Sequence, residues 1–189
     1  MTEENKNIPV CEKQGLAVGV PFTVVEKTPR EIWRTGYSYY LAQKAKNASV
    51  RPIMGRFYQE EGATDKQFQI FQDGKWVNAN FWDWSEPIME NGQVVTNKNG
   101  KPKRRPFFEQ KFEYLLKFDR PIEIDYWDKE LKQVVSEAVD TCYVRFSKNL
   151  AEKLKDQIED PRNGDDAKFI IEYDPSKTPA DQYKVKYSA

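Results

Sequence analysis

Two groups of side chains in this sequence have the types and spacing to do chemistry. The first is acidic. Glu123 and Asp125 stand two apart, with Asp128 close behind. On a strand, a spacing of two puts both carboxylates on one face. Such acids could hold divalent cations for phosphodiester cleavage. The plainer reading is a solvated acidic strand face, because the acids alternate with isoleucine in PIEIDYW. The second group is basic. KNGKPKRRPFFEQK at 98–111 carries Lys98, Lys101, Lys103, Arg104, Arg105 and Lys111 against Glu109. Clustered Lys and Arg are the electrostatic footprint of phosphate binding. The same letters also suit a solvated loop or a nuclear localisation signal. Two prolines among the basic residues favour an extended loop.

Most other chemistry is excluded. The 189 residues include no histidine. The commonest general base and metal ligand is therefore absent, and with it the Ser-His and Cys-His arrangements. Glycines number nine, and neither GxGxxG nor GxxxxGK[ST] occurs. No catalytic residue, cofactor or metal is expected, and the chain is read as a non-enzyme. Cys11 and Cys142 are the only cysteines, too few for a four-ligand zinc site. They point to a reducing compartment, with Cys142 a core thiol.

Aromatic residues are frequent: five Trp, ten Tyr and eleven Phe. Trp33 and Tyr37 flank Arg34, Phe57 and Tyr58 follow Arg56, and Trp76 follows a turn. Flat side chains beside cations suit single-stranded nucleic acid. Each base has a π-face to stack, at about 1–3 kcal/mol per base, and cations neutralise the phosphates. Small barrels also fill their interiors with aromatics, so about half of these rings are expected in the core. In FWDW, period two would put Trp82 and Trp84 together as core. The candidate contacts are Trp33, Arg34, Tyr37, Arg51, Arg56, Tyr58, Trp76, Lys98, Lys101, Lys103, Arg104 and Arg105, with Phe107 and Phe108 anchoring the basic loop.

These residues need a scaffold. The charged fraction, 32%, is high, and the net charge is zero with 30 residues of each sign. No apolar run nears the roughly 20 residues of a membrane helix, and MTEENKNIPV lacks a secretory h-region. The expected location is the cytoplasm, or the host-cell interior if the chain is viral. Residues 1–12 are expected to be flexible and 13–189 to form one domain. Alternating segments at 50–58 and 66–72, with DGKW, NGQ and KNGK as turns, predict antiparallel strands. Ser147 is a good N-cap for a helix over KNLAEKLKDQIED, with Leu150, Leu154 and Ile158 as its apolar stripe. KFIIEY and QYKVKY close as a hairpin. The fold class is mainly β with one clear α-helix, a small antiparallel barrel with extended loops.

The layout of TCYVRFSKNLAEKLKDQIEDPRNGDDAKFIIEYDPSKTPADQYKVKY is strand, helix, strand, loop, strand. It resembles the closing section of OB-fold single-stranded DNA-binding proteins of phages and related mobile elements. The resemblance covers about 100–187, including the KP-containing basic loop. It implies an OB barrel without catalysis, binding single-stranded DNA with little sequence preference in replication or recombination. Lys101, Lys103, Arg104 and Arg105 would then touch backbone, and Arg51, Arg56, Trp33, Tyr37, Tyr58 and Trp76 would line the groove. The implied partners are single-stranded DNA, replication or recombination proteins, and further copies of the chain. The sequence does not separate DNA from RNA. Many such proteins end in an acidic recruiting tail, whereas this chain ends QYKVKYSA. The competing reading is a non-enzymatic structural or protein-interaction β-domain, such as a virion component.

Overall fold

Turn chemistry and alternation account for most elements of the chain. The computed structural model describes residues 8–128 and 130–188, without the side chains of Tyr37 and Ser38. In chain order the elements are β1 (Val10–Cys11), β2 (Phe22–Val24), β3 (Arg30–Thr35), α1 (Tyr37–Lys46), β4 (Met54–Tyr58), β5 (Gln67–Gln72) and β6 (Lys75–Asn78). Then come β7 (Ser85–Pro87), β8 (Met89–Glu90), β9 (Gln93–Val94), β10 (Arg104–Pro106), β11 (Phe108–Asp128) and β12 (Gln133–Ser147). The last are α2 (Lys148–Glu159), β13 (Lys168–Tyr173) and β14 (Tyr183–Ser188). The protein is mainly β and its strand pairings are mostly antiparallel. Among the described residues it carries two α-helices, where one clear helix was expected. The described pairings do not close into a barrel.

The chain groups into two compact units. One unit takes residues 1–31 and 111–189, and the other is continuous from 32 to 110. Residues 1–7, most of the segment expected to be flexible, lie outside the described residues. Val10 and Cys11 are paired in parallel with Tyr143 and Val144.

In the discontinuous unit β2 pairs with β11 and β13, β11 with β12, and β13 with β14, all antiparallel. The β11–β12 register breaks between Lys117 and Ile122, where Pro121 lacks a ladder donor. Ser147 caps α2, its Oγ accepting from the Leu150 N–H at 3.4 Å. Leu150 and Leu154 are fully buried and Ile158 packs at the margin. They join Phe22, Tyr114, Leu116 and Phe146 in one core. Cys11 and Cys142 are buried free thiols in that core. Burial pushes the Cys142 thiol up to about 12. On the other face of β11–β12, Glu113 and Arg145 are directly opposite. Arg145 Nη2 donates to Glu113 Oε2 at 2.9 Å, and Arg30 Nη2 donates to Glu113 Oε1 at 3.0 Å. Arg145 also meets Glu12 at 3.2 Å.

In the continuous unit β3, β4, β5 and β6 form an antiparallel run. DGKW makes the β5–β6 hairpin, with Asp73 and Gly74 both at positive φ, the signature of a two-residue I′ turn. The second core lies on one face of this run: Phe68, Ile70 and Phe108, with Trp33, Val77, Phe81 and Trp84 around them. Gly55 sits beneath it. A Cβ there would stand 2.7 Å from the Phe68 ring and 3.2 Å from Phe108.

Gly55→Ala should cost about 1–3 kcal/mol by overpacking. Ser147→Ala should cost about 1 kcal/mol by uncapping α2. Thermal or urea unfolding of the two variants against the parent checks both figures.

Candidate nucleic-acid interface

Register decides which side chains of β3–β6 face away from the second core. Arg34 pairs with Met54, Arg56 with Gln69, Gln69 with Asn78, and Phe71 with Trp76. Directly paired residues share a face, and alternate residues along a strand share it too. One face therefore carries Arg34, Met54, Arg56 and Tyr58 on β3–β4, Gln67, Gln69 and Phe71 on β5, and Trp76 and Asn78 on β6. The opposite face carries Trp33, Gly55, Phe57, Phe68, Ile70 and Val77.

Arg56 is the centre of the outer face. Its guanidinium lies over the Trp76 ring at 4.3 Å and over the Tyr58 ring at 4.5 Å. Its Nε donates to Gln69 Oε1 at 2.9 Å. Gln69 Nε2 in turn donates to Asn78 Oδ1 at 3.0 Å. Gln69 is only 9% exposed, whereas Tyr58 is 40% and Phe71 45% exposed. Phe71 meets Trp76 edge to face at 5.3 Å. The half-buried Arg56 cation is attracted by the quadrupoles of both rings, and Tyr58 and Phe71 keep exposed ring surface for a stacking partner.

Four of the residues singled out in the sequence, Arg34, Arg56, Tyr58 and Trp76, thus share one surface. Trp33 does not join them. It is one residue out of phase with Arg34, so its ring packs edge to face on Phe57 and Phe81 at 5.5 and 5.4 Å. Tyr37 opens α1, and its side chain lies outside the described residues. Arg51 is exposed in the connection between α1 and β4. Gln67, Gln69, Phe71 and Asn78 were missed. Their signal was present in QFQIFQ, where Gln67, Gln69 and Phe71 fall on one parity.

The basic segment is a folded arm, not an extended loop. β10 pairs with β7, placing Arg104 opposite Pro87 and Arg105 opposite Glu86. Backbone bonds then continue the ladder: Ile88 N–H to Lys103 O at 2.9 Å and Lys103 N–H to Val95 O at 2.8 Å. The tip is closed by Asn97, whose Oδ1 accepts from the Asn99 and Lys101 N–H groups at 2.9 and 3.0 Å. Arg104 is used internally. Its Nε donates to Ser85 Oγ at 2.7 Å and its Nη2 to Ser85 O at 2.8 Å. Arg105 pairs with Glu86 at 3.2 Å. Lys98, Lys101 and Lys103 are exposed and make no side-chain bond among the described residues. Phe108 anchors the arm in the second core as expected, and Phe107 stacks on Tyr39 at 4.3 Å.

FWDW is not a strand. Phe81–Asp83 is a 3-10 turn, and the Asn80 side chain accepts from the Trp82 N–H at 3.1 Å. Trp84 packs on the second core while Trp82 is 54% exposed. The period-two expectation of two core tryptophans fails because Asn80 caps a turn there.

The same unit holds a cleft of about 530 Å³ between α1 and β10, with Tyr39, Gln43, Glu86, Arg105, Phe107 and Glu109 on its walls. The acids considered for metal chemistry sit on the β11–β12 hairpin. Asp125 accepts from Ser136 Oγ at 2.5 Å, and Asp128 closes the turn by accepting from the Glu130 and Leu131 N–H groups. Among the described residues no group of three His, Cys, Asp or Glu side chains is placed to hold a metal ion. No described helix is long and apolar enough to cross a membrane.

Compared with protein-family models, curated proteins and solved structures, the chain matches none of them.

Arg104→Ala removes two bonds to Ser85 and should loosen the arm by about 1–3 kcal/mol. Amide exchange followed by mass spectrometry should show faster exchange over 85–106, with β4–β6 unchanged.

Proposed function

We propose that this chain is a non-catalytic single-stranded DNA-binding protein acting in replication or recombination. The observation that carries the reading is the outer face of β3–β6. There Arg56 lies between Tyr58 and Trp76, exposed Phe71 stands beside them, and Arg34 shares the surface. Rings of this kind stack bases without regard to sequence. Lys98, Lys101 and Lys103, on the arm of the same unit, supply charge for phosphates. Arg104 is bonded to Ser85, and the exposed Arg105 pairs with Glu86 on the same arm.

The pairing pattern of the discontinuous unit supports an OB-type assignment. Taken as five strands, β2, β11, β12, β13 and β14 pair first with second, second with third, first with fourth, and fourth with fifth. α2 falls between the third and fourth. An OB fold is a partly open Greek-key barrel, and its first loop is one of the segments that bind oligonucleotides. On this reading the continuous unit, residues 32–110, is an elaboration of that loop.

One observation favours the alternative of a structural or protein-interaction β-domain. The β11–β12 hairpin exposes Trp127, Leu131 and Val134, the last two at 62% and 64%.

Titrating the protein with an unstructured dT 30-mer at low salt should quench tryptophan fluorescence with micromolar or tighter affinity. Each phosphate contact contributes about 0.7 to the log–log salt slope for single strands. Replacing Lys98, Lys101 and Lys103 together by Ala should therefore flatten the slope by about 2. Arg56→Ala should weaken binding roughly tenfold, the effect of losing one stacked cation and its ring alignment. Absence of binding by the parent protein at low salt would refute the reading.

A further inference from the structure

An arginine side chain has five N–H donors and no acceptor. Because Arg56 Nε donates to Gln69, the atom facing it must be the amide oxygen. The Gln69 amide cannot be turned round without setting donor against donor. Its nitrogen is therefore directed at β6, where the atom it meets on Asn78 must also be an oxygen. The polarity of the row Arg56–Gln69–Asn78 is fixed from its arginine end. Asn78, exposed on β6, then has its acceptor engaged. Its Nδ2 has no partner among the described residues. The Arg56 Nη groups, beside the Tyr58 and Trp76 rings, likewise make no hydrogen bond among the described residues. Both ends of the row offer N–H donors.

Asn78 also lines a shallow concavity of about 440 Å³ with Gln67, Phe68, Ala79, Asn80 and Phe81. Gln67 Nε2 lies 3.5 Å from Ala79 O. The site combines the half-buried Phe81 ring at its margin with an amide nitrogen whose orientation is set by a neighbour two strands away. Its complement is a flat group carrying a carbonyl oxygen. Among the bases, thymine and guanine present an exocyclic C=O at O4 and O6, where cytosine and adenine present an amino group.

We propose that the Arg56–Gln69–Asn78 row makes this surface select keto bases over amino bases, with Asn78 Nδ2 donating to the base oxygen. The inference rests on the reading of this face as the nucleic-acid surface. Sequence tolerance from stacking is retained, and the row adds a bias within it.

Matched oligonucleotides separate this bias from stacking strength. Uracil and cytosine differ in keto against amino at one position, with the same ring size. With dU and dC 12-mers at pH 8, dU should bind about three- to tenfold tighter, the fold-change of one net hydrogen bond. Asn78→Asp keeps an oxygen for Gln69 and replaces the outward donor by an acceptor. It should reverse the dU:dC ratio, even as its charge weakens both affinities. Arg56→Leu frees the Gln69 amide and should bring the ratio to about one. Lys103→Ala should weaken both ligands and leave the ratio unchanged. Circular dichroism and melting of each variant confirm folding. Equal dU and dC affinities in the parent, or an unchanged ratio in Asn78→Asp, would overturn the keto preference while leaving single-strand binding intact. Failure to bind either oligonucleotide would overturn the binding reading, and the preference with it.

Discussion

Two phenylalanine rings resting on a bare glycine hold the outer face of β3–β6 in place. Phe68 and Phe108 pack where a Cβ of Gly55 would stand. That contact fixes how β4 lies against β5, with Gly55 opposite Ile70 and Arg56 opposite Gln69. In a strand the side-chain period is two, so a slip of one residue exchanges the faces. Burying the rings on one side therefore obliges Arg56, Tyr58, Phe71 and Trp76 to the other. The polar surface is not stabilised chiefly by its own bonds, which are few. It follows from apolar burial on the reverse side of the same strands, at about 25 cal/mol per Å².

In the discontinuous unit a charged cluster aligns the strands. Glu113 and Arg145 face each other across β11–β12 with side chains almost wholly buried, and Arg30 reaches the free carboxylate oxygen. Desolvating such a pair offsets much of its Coulombic gain. What it adds is intolerance of misalignment. Shifted by one residue, the pairing would bury an unpaired carboxylate and an unpaired guanidinium, at several kcal/mol each. Arg30 also lies over the Tyr143 ring at 3.5 Å, so β12 is fixed through both its charged and its aromatic side chains.

Local chemistry was readable in the sequence wherever one residue acts on its near neighbours. Ser147 capping α2, Asp73–Gly74 turning a hairpin, and the strands at 54–58, 67–72 and 168–173 all belong to this class. So does the outward parity of Arg34, Arg56 and Tyr58, which alternation alone implies. What escaped depends on partners distant in sequence or on a competing local bond. Trp33 looked available because it stands beside Arg34, but adjacency on a strand means opposite faces. KPKRRP looked extended because of its prolines, but the ladder with β7 and the Ser85–Arg104 bonds fold it into an arm. FWDW alternates like a strand, yet the Asn80 side chain accepts from the Trp82 N–H and a 3-10 turn forms instead. The Arg56–Gln69–Asn78 row spans three strands, and no spacing along the chain encodes it.

The division of the chain has a consequence for the order in which the protein is built on the ribosome. Every residue of the continuous unit has been synthesised by position 110, and its strands β3–β6 pair in chain order. The other unit cannot begin its sheet until much later. Thr23 and Val24 wait for Lys117 and Leu116, and Val10 waits for Tyr143. Contacts between residues so far apart form slowly because chain entropy opposes them. In a chain made from its N-terminus, residues 8–31 therefore emerge early and remain without their strand partners while the segment after them folds. The apolar run LAVGVPFTVV is exposed for that interval, and Pro21 within it cannot donate to a neighbouring strand's ladder, a feature that discourages pairing with other chains in the meantime.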